Sequence, residues 1–299
     1  VFDSNNDGLV DVIYSGDLKG NVWKFDVSST TPAAWSIANG TLPIFVAKDS
    51  SGKVQPITAP ISVAINTVST DINYTKRFVF FGTGSYFQSA DPTNTDSQTW
   101  YSVIDDSPIL PSAPVRSELA QRTISTSAVL GGSPVRVIEA ATAGDMATKK
   151  GCFIDLPASG ERMVTASRLF SLAENTLIGS SIIPVVDQCV PGGIGYLNAI
   201  NPFTCARLTL PFFDVNDNGD FLDDVVPNTN GAYIGSIDLG VGMPGEAILV
   251  GNRLAVGGSK GTVEDIRVNT GVGGPGGNPG SGGPGSLKGR LSWREIVRD

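Results

Sequence analysis

The sequence contains no histidine. That absence removes Ser-His-Asp and Cys-His catalysis, histidine-ligated haem and most zinc enzymes. It leaves carboxylate chemistry and calcium open, because calcium takes hard oxygen ligands. Charged residues are scarce at 17%, and the basic ones are outnumbered: 21 Lys and Arg against 29 Asp and Glu, a net charge of -8. Neither nucleic acid nor an anionic membrane is therefore expected as a partner, since both select basic surfaces. No apolar run reaches the roughly 18 residues that a membrane-spanning helix needs, so no membrane span is expected in this chain. Three cysteines, Cys152, Cys189 and Cys205, are few for a disulfide scaffold and odd in number. The chain starts Val1-Phe2-Asp3 with neither Met nor a leader, which reads as a processed or excised piece. Missing targeting signals then say nothing about destination.

What is abundant is turn-forming sequence: 36 Gly and 19 Pro in 299 residues, of which 40% are apolar. Apolar runs are short and rich in Val, Ile, Phe and Tyr. The segments 10–14, 21–25, 77–81, 135–139, 193–200, 247–250, 253–256 and 262–268 read as strands. Segment 117–121 reads as a short helix or a loop, and helical periodicity is otherwise hard to find. The expectation is an all-β protein with one or two helical turns at most.

A weak internal repeat refines that class. The stretch 13–26 (IYSGDLKGNVWKFD) and the stretch 254–266 (LAVGGSKGTVEDI) both run strand, Gly-x-x-x-Gly turn, strand. Partial copies stand at 80–87 (FFGTGSYF) and 192–197 (GGIGYL). Glycine permits the positive φ of a tight hairpin. Recurring hairpins with long insertions suggest β-propeller blades, about four in this length. A free half-ring exposes sheet edges, so part of the ring is expected to lie outside this chain, or the ring to be small. A β-sandwich with decorated hairpins is the alternative. Residues 1–270 are assigned to blades. A Gly/Pro-rich linker follows at 271–288; its core, Gly271 to Ser286, holds nine Gly and three Pro and cannot bury a core. The alternating segment 289–299, with Trp293, reads as a C-terminal strand reaching back to complete another blade.

The motif richest in chemistry opens the chain. Asp3, Asn5, Asp7 and Asp11 place oxygen side chains at positions 1, 3, 5 and 9 of a loop. Gly8 stands at position 6, where a calcium loop turns sharply, and Leu9 at position 7 offers a backbone carbonyl. Three carboxylates this close repel one another without a cation. Tyr14 stands at position 12 in place of a bidentate Glu, and strands rather than helices flank the loop. Such a loop binds calcium without the helix-opening switch. Asp17 is a candidate further ligand, and a self-solvating Asx-rich turn is the alternative reading. A second, weaker candidate runs from Asp214 through Asn216, Asn218 and Gly219 to Asp220, with the closing carboxylate displaced to Asp223 or Asp224. Asp105-Asp106 reads as a surface pair. Cys189 and Cys205 are a candidate disulfide, which leaves Cys152 as a small buried apolar residue rather than a nucleophile. Trp23, Trp35, Trp100 and Trp293 read as core.

Taken together, the segment 3–26 (DSNNDGLVDVIYSGDLKGNVWKFD) resembles the calcium-loop blade of the PilY family of type IV pilus proteins. The segments 151–162 (GCFIDLPASGER), 187–193 (DQCVPGG) and 292–295 (SWRE) resemble further family segments, in the family's order. The resemblance implies a modified seven-bladed β-propeller with quinoprotein-like blades, of which this chain looks like the C-terminal half. It also implies a non-enzymatic calcium protein of the cell surface and pilus tip. Its partners would be pilins or minor pilins, with host or abiotic surfaces as adhesion targets. Calcium occupancy would influence pilus extension, retraction and twitching motility. The ligand set carried over is Asp3, Asn5, Asp7, Leu9 and Asp11. No Arg-Gly-Asp motif is present. Cys152 stands where the resemblance leads one to expect an aromatic residue and Cys205 where it leads one to expect Gly, so an extra bridge between them is a further alternative. Two other function classes remain. One is a calcium-stabilised extracellular binding module unrelated to pili. The other is a fragment of a quinoprotein-type dehydrogenase, because the Gly16–Asp26 hairpin also resembles that repeat; no adjacent Cys-Cys pair accompanies it.

Overall fold

The computed structural model describes residues 1–5, 7–105, 113–185 and 192–271. Asp106, Cys189, the linker beyond Gly271 and the expected C-terminal strand lie outside the described residues.

The described chain forms four separate sheets, none closed on itself. The first holds β1 (Val12–Gly16), β2 (Asn21–Asp26), β3 (Ser36–Ile37) and β4 (Phe45–Val46), with β2 pairing all three others. The second holds β5 (Ser62–Ile65), β6 (Arg77–Gly82), β7 (Thr99–Asp105), β8 (Ala120–Arg122) and β11 (Gly151–Asp155), in the order β5-β6-β7-β11-β8. The third takes β9 (Ile124–Leu130), β10 (Ser133–Ile138), β12 (Arg168–Ser171), β13 (Asn175–Pro184), β14 (Gly193–Ile200) and β16 (Ser236–Ile237). Its order is β12-β13-β14-β16-β10-β9. The fourth is β15 (Phe213–Asp214), β19 (Val263–Val268), β18 (Arg253–Gly257) and β17 (Ile248–Val250), in that order. All pairings are antiparallel except β8 with β11.

Strand alternation explains how the sheets stack. Successive side chains point to opposite faces. Val79, Phe81, Tyr101, Val103 and Phe153 of the second sheet pack with Val12, Tyr14, Val22 and Phe45 of the first. Their neighbours Phe78, Phe80, Trp100, Ile104 and Ile154 pack with Ile138, Leu177, Ile200 and Phe203 on the opposite side. The other face of the third sheet, through Val135, Ile178, Leu197 and Ile237, meets Leu254, Val256, Ile266 and Val268 of the fourth. Three cores thus lie between four sheets in chain order, an all-β stack of propeller blades. Each inner sheet is covered on both faces, which is why every residue of β7 is buried.

The hairpin repeat is real at its two full copies. The Asp17 N–H donates to the Asn21 carbonyl and the Gly20 N–H to that of Asp17; the Gly258 N–H donates to Thr262 and the Gly261 N–H to Gly258 in the same way. The partial copies are not hairpins. In the segment 192–197, residues 193–197 belong to the single strand β14, where a Cβ on Gly195 would stand 2.2 Å from the Ser181 carbonyl oxygen and 2.3 Å from the Pro244 ring. In the segment 80–87, β6 ends at Gly82, and a Cβ on Gly84 would meet Arg162 at 2.5 Å. Glycine at both places answers close approach rather than a turn.

Other expectations also change. The segment 117–121 splits into a 3₁₀ turn, Arg116–Glu118, and the edge strand β8; two more 3₁₀ turns stand at Pro32–Ala34 and Asp91–Thr93. Trp35 is exposed and Trp23 half-buried, so only Trp100 of the described tryptophans is core. The disulfide joins Cys152 to Cys205, the bridge the family resemblance offered as an alternative, rather than Cys189 to Cys205. It staples β11 of the second sheet to the loop after β14 of the third, inside their shared core.

Candidate functional site

The first Asp loop hangs between Phe2, which bridges to Val12, and β1. Its oxygens follow a regular rule. Asp3 Oδ2 accepts the Gly8 N–H at 2.8 Å, Asn5 Oδ1 the Asp7 N–H at 2.9 Å, and Asp7 Oδ1 the Leu9 N–H at 2.8 Å. These side-chain-to-backbone hydrogen bonds wind the loop tightly, and Gly8 completes the turn at φ +88°. The buried Asp11 closes the loop, accepting both the N–H and the hydroxyl of Ser4. The accepting oxygens of Asn5 and Asp7 each retain a second lone pair for a cation, whereas Asp11 Oδ2 gives both of its lone pairs to Ser4 and leaves Oδ1 for an ion. Among the described residues, no ammonium or guanidinium pairs with Asp7 or Asp11. The expected further ligand does other work. Asp17 accepts the Lys19 and Asn21 N–H groups, the Asn21 amide and the Trp23 indole, and so builds the β1–β2 turn. Burial pushes its carboxyl up, and these hydrogen bonds outweigh that and hold it below the usual range.

Both flanks of this loop are gripped by the second sheet. The Tyr14 hydroxyl donates to Asp105 Oδ2 at 2.5 Å, and Lys24 Nζ stands 2.8 Å from the same oxygen. Arg77 donates to the Tyr14 hydroxyl at 3.1 Å and lies 4.3 Å from the centre of the Phe2 ring. Burial, reinforced by Asp105, pushes the Tyr14 hydroxyl well above the ordinary phenol range. Asp105 is therefore no surface residue: it is the buried anion to which two cations and a phenol converge. The sequence signal was the Tyr at position 12, on the inward face of a strand where a calcium loop carries Glu. Its partner lies 91 residues away and left no local trace.

The second Asp loop leaves β15 at Asp214 and repeats the rule position for position. Asp214 Oδ2 accepts the Gly219 N–H at 2.8 Å, Asn216 Oδ1 the Asn218 N–H at 3.0 Å, and Asn218 Oδ1 the Asp220 N–H at 2.6 Å. Gly219 has φ +84°. The closing carboxylate is displaced by two residues: Asp224 Oδ1 accepts the N–H of Val215, the second loop residue, as Asp11 does that of Ser4. Asp223 accepts both the Asn216 and the Asn218 amides. Arg253 pairs with Asp217 at 2.5 Å, and Arg267 Nε stands 3.0 Å from Asp217 and 3.6 Å from the buried Asp214. These two arginines had not been singled out in the sequence. Burial first, then the charges of Asp214, Asp223 and Asp220, push the Asp224 carboxyl up to about 6, against the pull of the Val215 N–H. Among the described residues, no three Asp, Glu, His or Cys side chains form a ready metal-holding group. A cation at either loop would thus lean on amide and main-chain oxygens as well as on carboxylates.

This framework has known counterparts. Residues 1–122 match the model of the PilY1 beta-propeller domain. A type IV pilus biogenesis factor PilY1 homolog of Xylella fastidiosa is 35% identical over 304 residues, covering 99% of this chain and 22% of the relative. The chain belongs to the PilY1 family. PilY1 of Pseudomonas aeruginosa PAO1, a type IV pilus biogenesis factor, is 29% identical across 73% of this chain and 21% of its own length. The crystal structure of the P. aeruginosa PilY1 C-terminal domain superposes with a TM-score of 0.69 at 22% identity, covering 90% of this chain and 60% of that one. The chain spans about a fifth of the length of the curated PilY1 relatives it matches.

The segment at 151–162 by which the sequence resembles the family is architectural. Glu161 accepts Arg136 Nη1 on both oxygens, at 2.8 and 3.0 Å, and the Ser181 hydroxyl at 2.6 Å. The Arg136 guanidinium also stands 3.4 Å from the centre of the Tyr196 ring. Arg162 donates to the carbonyls of Ser85, Asp91 and Asn94, which fastens the loop between β6 and β7. Away from both Asp loops, a groove of about 690 Å³ is lined by Lys48, Val115, Arg116 and Phe153. Its Arg116 is committed to Asp155 and to the Tyr101 hydroxyl. Among the described residues, no helix is long and apolar enough to cross a membrane.

Proposed function

We propose that this chain is the calcium-binding propeller portion of a type IV pilus biogenesis factor. The observation that carries the reading is the first loop: the oxygens of Asp3, Asn5 and Asp7 accept the loop's own N–H groups around a tight Gly8 turn, within the stretch that matches the PilY1 propeller. The donor set suits calcium, which takes six to eight oxygens from flexible loops. Asp3, Asn5, Asp7 and Asp11 would hold it, with the Leu9 carbonyl. The ion supplies positive charge only, opposing the mutual repulsion of three carboxylates.

The protein's own residues do the rest. Asp11 fixes the loop entry through Ser4. Tyr14 and Phe2 carry loop order to Arg77 and Asp105, and so to the second blade. Cation occupancy would thereby stiffen the contact between two blades, at a surface offered to pilins or minor pilins and to an adhesion target. Location at the cell surface or pilus tip, and control of retraction and twitching, belong to the same proposal. The relatives' names as pilus biogenesis factors support the pilus part.

The test is complementation of a strain lacking the full-length protein. The Asp7→Ala and Asp11→Ala forms are expected to give few surface pili while the retraction motor operates and normal numbers when it is absent. Wild-type piliation in both backgrounds would remove calcium from the account. Normal piliation in the strain lacking the protein would remove the pilus role itself.

A further inference from the structure

The second Asp loop contains a group that hydrogen bonding within the protein does not explain. Asp224 is 3% exposed, and among the described residues its Oδ2 is buried without a hydrogen-bond partner. Its charged neighbours are the carboxylates of Asp214, Asp223 and Asp220. A buried carboxylate oxygen facing other anions is costly, and native chains rarely keep one without a counter-charge. The two nearby arginines do not meet this need. Arg253 divides itself between Asp217 and Asp265, and Arg267 addresses Asp217 and Asp214. Arg267 also lies over the turn, its Nη1 3.0 Å from where a Cβ on Gly219 would be. Among the described residues, neither guanidinium pairs with Asp224.

We propose that this loop is a second divalent-cation site, selective for calcium, with the side-chain oxygens of Asp214, Asn216, Asn218 and Asp224 and the main-chain carbonyl of Asp220 as ligands. Two carboxylates, two amide oxygens and a carbonyl are the mixed hard set that calcium accepts. Magnesium holds a stricter octahedron and sheds water reluctantly, which a five-oxygen loop of this kind does not favour. Asp223 is a positioning residue: by accepting both Asn amides it turns their Oδ1 atoms toward the loop interior. The site does not depend on the first loop, because the two belong to different sheets.

The test is calcium titration by calorimetry on the whole chain with the first loop disabled by Asp3→Asn and Asp7→Asn. One equivalent of calcium is expected to bind, and adding Asp224→Asn is expected to abolish it. No binding by a chain that still melts cooperatively overturns the proposal, as does binding that survives Asp224→Asn. Thermal melts guard against misfolding. In chelator, Asp224→Asn is expected to match or exceed its parent, since it removes the orphaned charge; in millimolar calcium the parent alone gains several degrees. If the disabled chain does not fold, Asp224→Asn in the wild-type background decides: the proposal requires one equivalent of binding to be lost, and an unchanged stoichiometry overturns it. Failure of the first-loop reading would leave the second-loop signal in place, so the two outcomes are distinguishable.

Discussion

The two Asp loops share a backbone and differ in what balances their charge. In each, oxygens at positions 1, 3 and 5 accept N–H groups from positions 6, 5 and 7, and a later carboxylate takes the N–H of position 2. The first loop is largely exposed, and among the described residues no basic side chain pairs with its Asp7 or Asp11; its order is anchored from outside, by Arg77 and Asp105 of the next sheet. The second loop closes on the buried Asp224 and carries two arginines, yet among the described residues one of its carboxylate oxygens has no partner. Local sequence can thus specify the winding of such a loop, while tertiary contacts decide how strongly it depends on a cation.

The largest effect expected is from Asp105→Ala. It strips a buried anion from Lys24, Arg77 and Tyr14, and removing one member of a buried ionic group costs roughly 3–5 kcal/mol. Denaturant melts should show that loss, and calcium titration should show weakening confined to the first loop; equal weakening of both would break the comparison. Opening the Cys152–Cys205 staple with paired serines should cost about 2–4 kcal/mol. It lies away from both loops and should leave their calcium responses unchanged in titration. Asp7→Asn should forfeit about 2.7 kcal/mol when calcium stands at a hundred times its dissociation constant, and almost nothing in chelator. A stability difference of equal size in both media would mean that the loop does not need the ion.

Smaller effects sharpen the contrast. Arg267→Gln removes a guanidinium that competes with an incoming cation, so calcium should bind the second loop roughly threefold to tenfold more tightly, with the first loop unaffected. Gly8→Ala and Gly219→Ala force a side chain into positive φ, each costing about 1 kcal/mol by thermal melt. Gly8 faces open space, so its cost is strain alone; at Gly219 the new methyl also displaces Arg267.

Much of this was legible in the sequence because it is local. Residues 21–25 and 193–200 alternate or run apolar over strand lengths, and both became strands with nearly those bounds. The spacing of Asp3, Asn5, Asp7 and Gly8 already marked a tight, Asx-rich turn, and the Gly-x-x-x-Gly hairpins fold as copies. What was not legible depends on distance. Asp105 looked like surface because its partners Tyr14, Lys24 and Arg77 come from other strands. Glycines 193 and 195 looked like a turn because nothing nearby in the sequence announces Met243 and Pro244 packed against them. The Cys152–Cys205 bridge, which the sequence offered only as an alternative through the family resemblance, forms because stacking of the second and third sheets, not closeness in sequence, brings the two together.

The most direct test of the central claim, that the first loop is ordered by calcium, is amide hydrogen exchange at Asp7, Gly8 and Leu9, whose N–H groups are held by the loop's own carboxylates and amide. Exchange should slow roughly tenfold or more on adding calcium, and Asp7→Asn should erase that protection. Identical exchange in calcium and in chelator would contradict the account.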